Sequence, residues 1–337
     1  MRVRFAVAAV LSAFILSCNP PANKRSVEKS RFLLDTLVRI SVYDQNCPVK
    51  KAESAIDHAF DLMQELEAKT SVHIDTSEVA QIVQQAGRET VKVSKETVRL
   101  LKQSVEISRQ TGGLFDVTIG PVKDLWGFSG TSFRVPDSAE IHSVLSRVNY
   151  RDILFEKDAV MLRSSGMEID LGGIAKGYII DRAVAFLEEA GIRSGIVEAG
   201  GDLRIWGSHP YRELWKIGIK HPRGNGNDLI GMIQTKAISI ATSGDYERYF
   251  IQDGKRYHHL LDPRTGYPAT GCVSVTIVTE NAILADAYAT AVFIMGPEQG
   301  MKFIEQTDGI EGVIIFEQKG NLQYKISKGI QNQVQMF

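Results

Sequence analysis

Cysteine is scarce in this chain, with three in 337 residues, at Cys18, Cys47 and Cys272. No C-x-x-C pair and no zinc spacing occurs, so neither a thioredoxin-like redox motif nor a zinc module organises the fold; Cys47 and Cys272 are free to pair or to stay apart. Charge of one sign is also missing. With 39 Lys and Arg against 40 Asp and Glu, the net charge is −1, and no broad basic field is available to neutralise the phosphates of a nucleic-acid partner. The nucleotide fingerprints G-x-G-x-x-G and G-x-x-x-x-G-K-[ST] are absent, as are internal repeats and any linker dividing the body. Long apolar runs are limited to one, from Phe5 to Leu16.

That run opens the chain as "MRVRFAVAAVLSAFILSCNPP", two arginines followed by an apolar stretch too short to span a bilayer and a small-residue exit. It reads as an export signal over residues 1–17. Ile15-Leu16-Ser17-Cys18 resembles a bacterial lipobox, which implies lipidation of Cys18, a polar tether over 18–30, and a body over 31–337 held at a membrane by its lipid and facing the periplasm or the cell exterior. Hydrophobic residues make up 44% and charged residues 23%, the balance of a globular domain.

Periodicity predicts a strand in "FLLDTLVRISVY", a helix over 49–69 with Ala52, Ala55, Ile56, Ala59, Phe60, Met63 and Leu66 on one face, and a helix over 95–110 capped by Ser94. Strands follow over 150–170, then a helix closed by Gly191, alternating strands and turns over 194–278 with Asp253-Gly254 as a hairpin turn, helices over 281–294 and 297–306, and a final hairpin around Lys319-Gly320-Asn321. Without a regular β-α-β rhythm the class is α+β, mixed sheets with packed helices.

Chemistry-bearing residues gather in glycine-rich loops. "MEIDLGGIAKGYIID" sets Asp170 at a strand end before Gly172, Gly173 and a helix start, a place for an anion at a helix N-terminus; Lys176 reaches a phosphate or stays solvated, and Asp170 serves a ligand or caps the helix. "SIATSGDYERYF" supplies the hydroxyls of Thr242 and Ser243 for a phosphate, a sugar or their own turn. "RYHHLLDPRTGYP" places His259 near Asp262, a pairing that would let His259 take a proton near neutral pH. In "ILADAYATAVFIMG", Asp286 and Thr290 lie four apart and share a helix face, which suits a hard metal ion; the alternative puts Asp286 at a solvent edge with Thr290 bonded to its own helix.

"FDVTIGPVKDLWGF", "DLGGIAKGYIID", "EAGGD", "ATSGDYERYF", "HHLLDPRTGYP" and "ADAYATAVFIMG" resemble the successive blocks of the FAD:protein FMN transferases, the ApbE family, in family order from about Phe32 to about Gly312. The resemblance implies a T-fold-related architecture, with FAD as substrate and Mg²⁺ held by Asp286, Thr290 and the carbonyl of Gly173. It implies flavin contacts at Asp170, Lys176, the backbone near Leu260, the loop Ile119-Gly120-Pro121, Leu34 and His73, the last standing where members commonly have an aromatic residue. FMN would pass from FAD to a threonine or serine of a membrane or periplasmic redox protein, with AMP released. Members' targets are similar to D-x-[AS]-[TS]-x-[AS]-T, and His259 or a carboxylate near the metal such as Asp286 would take the hydroxyl proton. Attack by water in place of the hydroxyl would make the same site an FAD pyrophosphatase. A lipid-anchored flavin binder without catalysis would not need the Asp286/Thr290 pair.

Overall fold

The computed structural model describes residues 26–226 and 228–337. The signal, Cys18 and most of the tether lie outside these residues. In chain order, the first elements are β1 (Val27–Leu33), β2 (Thr36–Val42), α1 (Val49–Thr70), α2 (Glu78–Gln84), β3 (Val91–Lys92), α3 (Lys95–Gln110), α4 (Gly120–Leu125) and α5 (Ser138–Leu145). There follow β4 (Ile153–Glu156), β5 (Ala159–Leu162), α6 (Ala175–Glu189), β6 (Gly195–Ala199), β7 (Asp202–Trp206), β8 (Trp215–Lys220), β9 (Leu229–Thr235) and β10 (Ser239–Gly244). The chain closes with β11 (Tyr249–Gln252), β12 (Lys255–His258), β13 (Cys272–Thr279), α7 (Ala282–Gln306), β14 (Ile310–Gln318), β15 (Asn321–Ile326) and β16 (Val334–Met336).

An eight-stranded antiparallel sheet, ordered β1-β2-β6-β7-β10-β13-β14-β15, is the frame. Both its faces are covered, so all eight residues of β13 are buried rather than alternating. On one face α7 packs against β10, β13 and β14, with α6 and α1 beyond it; Ile179, Ile180, Val292, Phe293 and Ile277 belong to that core. The other face carries the small sheet β16-β9-β8, through Trp215, Ile217, Ile233, Val313 and Ile315. A third cluster, Val122, Trp126, Phe128, Ile141 and Leu261, joins α4 and α5 to the loop after β12.

The long helices follow their periodicity. All seven apolar positions expected on the inner face of α1 are buried, and Ser94 caps α3 by accepting the N–H of Thr97 at 3.4 Å. Gly296 (φ 80°) and Pro297 break α7 where two separate helices were expected, because the proline ring excludes continuous α geometry. The stretch expected as one strand, "FLLDTLVRISVY", is a hairpin: Leu34 (φ 55°) and Asp35 (φ 56°) turn the chain between β1 and β2. Pairing begins at Val27, so residues 27–30, read from sequence as tether, belong to the sheet. The loop Ile119-Gly120-Pro121 is the entrance to α4, with Pro121 in its first turn, where a missing N–H costs nothing.

Candidate active site

A cavity of about 370 Å³ opens where the N-terminus of α6, the first turns of α7 and the end of β10 meet. Its other walls include the β1–β2 turn, the segment after α1, the stretch from Leu114 to Lys123 at the start of α4 and the loop after β12. Twelve expected site residues line it: Leu34, His73, Ile119, Asp170, Gly173, Lys176, Thr242, Ser243, His259, Leu260, Asp286 and Thr290. Gly120 and Pro121 do not; both are buried in α4, where Gly120 packs against Glu168. Cys18 lies outside the described residues.

At the floor, Asp286 and Thr290 share one face of α7, as their spacing predicts. Asp286 is buried, not at a solvent edge, and its Oδ2 accepts the N–H of Gly177 at 3.1 Å. Thr290 Oγ1 lies 3.3 Å from Ser243 Oγ, and a Cβ added at Gly173 would stand 3.0 Å from Thr290 Oγ1. The glycine therefore brings bare main chain to the hydroxyl. Burial raises Asp286 to about 7, opposed by the Lys176 ammonium 3.7 Å away and reinforced by Asp202. Lys176 pairs with Asp202 rather than facing solvent; burial works against its charge, but the two carboxylates more than offset this and raise its pKa. Asp202 also accepts the N–H of Thr242 at 3.3 Å.

Asp170 is anchored on α4 as well as on its own loop before α6. Lys123 pairs with it at 2.6 Å and the N–H of Gly172 at 3.0 Å. Burial opposes its ionisation, yet Lys123 and that N–H keep its pKa below the usual carboxylate range.

The two histidines divide their roles. His258 Nε2 bonds the carbonyl of Ala269 at 3.0 Å and its Nδ1 accepts the N–H of Leu260 at 3.3 Å, so both ring nitrogens serve the loop. His259 Nδ1 contacts the carbonyl of Arg248 at 3.1 Å. A carbonyl only accepts, so Nδ1 carries the proton and Nε2 keeps a lone pair. The expected partner Asp262 is not beside it: that carboxylate is held by Arg264, Nη2 to Oδ2 at 2.6 Å. With no bond to Asp262, and with burial and Lys123 both acting against the charged ring, His259 falls to about 3 rather than titrating near neutrality. At Leu260 the backbone is already engaged, its N–H by His258 and its carbonyl by the N–H of Ala269 at 2.9 Å.

Lys123 and Asp202 were not singled out from sequence. Both sit in quoted blocks, "FDVTIGPVKDLWGF" and "EAGGD", and in the latter the consecutive positive φ values of Gly200 (59°) and Gly201 (99°) turn the chain into β7, which starts at Asp202. Glu67 was also missed: it accepts the N–H of Leu34 at 2.8 Å from a helix distant in sequence. The lining holds seven acids, among them Asp35, Glu67, Asp170, Asp202 and Asp286, against Lys123, Lys176 and Arg248. Among the described residues no group of three or more His, Cys, Asp or Glu side chains is arranged to hold a metal. Any cation here would rest on one carboxylate, a hydroxyl and a carbonyl, an all-oxygen set that suits Mg²⁺.

The ApbE family model matches residues 34–314. The chain belongs to the ApbE family. An FAD:protein FMN transferase of Treponema pallidum is 31% identical over 99% of this chain and 96% of that protein; one of Klebsiella pneumoniae is 32% identical over 87% and 90%. Among solved structures, the ApbE protein of Thermotoga maritima superposes with a TM-score of 0.84 at 39% identity, covering 92% of this chain and 99% of that one. The flavin transferase ApbE of Vibrio cholerae gives 0.81 at 28% identity over 92% and 99%. The α+β fold is thus that of the ApbE flavin transferases, and the chain is an enzyme of that kind, an FAD:protein FMN transferase.

Proposed function

We propose that the chain uses Mg²⁺ to transfer FMN from FAD to a threonine or serine hydroxyl of an exported redox protein, releasing AMP, while Cys18 carries a lipid that holds it at the membrane. The observation that carries the reading is the convergence of Asp286, Thr290 and the Gly173 main chain on the floor of an acid-rich cavity. A pyrophosphate is anionic, and the lining's seven acids outnumber Lys123, Lys176 and Arg248, so a bound cation would offset the excess negative charge. Bound there, Mg²⁺ would supply charge neutralisation at the pyrophosphate.

The chain's own residues supply the rest. Lys123 is held by Asp170 and Lys176 by Asp202, both directed into the cavity where phosphate oxygens would lie. The acceptor oxygen attacks the FMN-side phosphorus, the bond from that phosphorus to the bridging oxygen breaks, and AMP departs with the bridging oxygen. The hydroxyl proton goes to Nε2 of His259, whose Nδ1 is fixed by Arg248. Its low basicity reflects burial and Lys123, and phosphate charge beside it would raise that basicity. Leu34, His73, Ile119 and Leu260 form the walls available to the ring system, and Thr242 and Ser243 offer hydroxyls to the phosphates.

The test is intact-mass analysis of a peptide bearing D-x-[AS]-[TS]-x-[AS]-T after incubation with the chain, FAD and Mg²⁺. A gain equal to an FMN phosphoester, lost with EDTA or when the target threonine becomes alanine, is the expected result. Free FMN and AMP beside an unmodified peptide would instead assign the site to FAD hydrolysis.

A further inference from the structure

The hairpin β11–β12 grows from the cavity mouth: Arg248 and His259, at its two feet, both line the cavity. His259 donates its N–H to the carbonyl of Arg248 at 3.0 Å. In an antiparallel ladder hydrogen-bonded pairs alternate, so Phe250/Tyr257 and Gln252/Lys255 are bonded pairs while Tyr249 and Ile251 turn their N–H and C=O away from β12. Among the described residues no other strand pairs with β11, and the hairpin forms a sheet of its own.

The two edges of the eight-stranded sheet carry ion pairs. On β1, Lys29 and Arg31 are tied to Asp57 and Asp61 of α1, and on β15 Lys325 is tied to Glu298. The β11 edge carries no charged residue and shows Ile251, 63% exposed, and Tyr249, 38% exposed; β1 and β15 also expose Phe32, 69%, and Tyr324, 52%, but beside their ion pairs. Phe133 and Tyr267, also exposed, lie on the same lobe, where Phe133 stacks on Phe250 at 5.4 Å. An unguarded apolar edge invites another strand. Arg256 is paired with Asp245 at 3.2 Å, which leaves Arg248 and Lys255 against Asp253, a single excess positive charge on the hairpin in a chain of net charge −1. A four-residue edge spans about 13 Å, enough to align an extended segment that runs on into the mouth.

We propose that the free edge of β11 is the docking strand for the acceptor protein: an extended, acidic segment flanking the target hydroxyl pairs with Tyr249 and Ile251 and so delivers that hydroxyl past Arg248 and His259. This rests on the transferase reading above. Main-chain pairing would give affinity and the exposed apolar side chains selectivity, the logic of strand addition.

The test is Ile251→Pro in the full chain, which removes one outward N–H and leaves the bonds to β12 intact. With the D-x-[AS]-[TS]-x-[AS]-T peptide as acceptor, KM for the peptide is expected to rise at least tenfold while KM for FAD and the melting temperature hold. An unchanged peptide KM overturns the proposal. If the proline variant loses FAD binding or fold, the double variant Tyr249→Ser with Ile251→Ser decides, with the same expected rise and the same overturning result. Should the wild-type chain leave the peptide unmodified, the transferase reading fails. The docking claim is then judged by fluorescence anisotropy of the labelled peptide: binding weakened tenfold in the variant supports it, and unaltered or absent binding overturns it.

Discussion

Asp286 sits where burial and function oppose each other. Its carboxylate is enclosed, shares Lys176 with Asp202, and holds the N–H of Gly177. Asp286→Asn keeps the volume and that hydrogen bond but removes the charge. Transfer is expected to fall at least a thousandfold while the melting temperature shifts by no more than a few degrees, as judged by AMP release and thermal unfolding. His259 carries a pH prediction. Its ring titrates at 6.5 unfolded and about 3 folded, so between those values the unfolded chain binds the extra proton and stability falls as pH drops from about 6.5 toward 3. His259→Asn should flatten that slope in urea midpoints measured across pH 3–7, and an unchanged slope would contradict the assignment. The pair Asp286/Thr290 was legible because helical spacing alone puts both on one face. The environment of His259 was not, because Arg264, two residues beyond Asp262, captures the carboxylate that sequence proximity offered to the histidine.

Two glycines at the entrance to α6 are expected to separate the proposed metal site from folding. A Cβ at Gly177 would stand 2.2 Å from the carbonyl of Ala282, where α6 crosses α7, and neither backbone can retreat. Gly177→Ala is expected to cost about 1–3 kcal/mol of stability or more, read by denaturant unfolding. At Gly173 the nearest atom is the Thr290 hydroxyl at 3.0 Å, so Gly173→Ala should leave stability within about 1 kcal/mol of the parent and still abolish Mg²⁺-dependent turnover. Equal losses of fold in both variants would contradict this division. Long amphipathic elements such as α1 and α3 were readable from sequence because burial of one face dictates their period. The β1–β2 turn was not: Leu34 and Asp35 both adopt positive φ without the Asn-Gly that marks such turns, and the Glu67 acceptor that supports Leu34 comes from another element. The short helices α2, α4 and α5 were missed for the related reason that so few turns carry little periodicity.

At the scale of the molecule, the cavity is assembled from both ends of the chain, from the β1–β2 turn to α7, so no single segment holds the site. Ligands that bind only this assembly stabilise all of it. FAD with Mg²⁺ at about a hundredfold over its dissociation constant should add about 2.7 kcal/mol to unfolding, seen as a rise in melting temperature that EDTA reverses and Asp286→Asn lacks. No described helix is long and apolar enough to cross a membrane, and in the proposed arrangement the lipid at Cys18 is the anchor. The most direct measurement counts AMP and FMN-esterified acceptor peptide in the same reaction with FAD and Mg²⁺. The account predicts one ester for each AMP, both lost in Asp286→Asn; AMP matched by free FMN, or ester formation that survives in the variant, would contradict it.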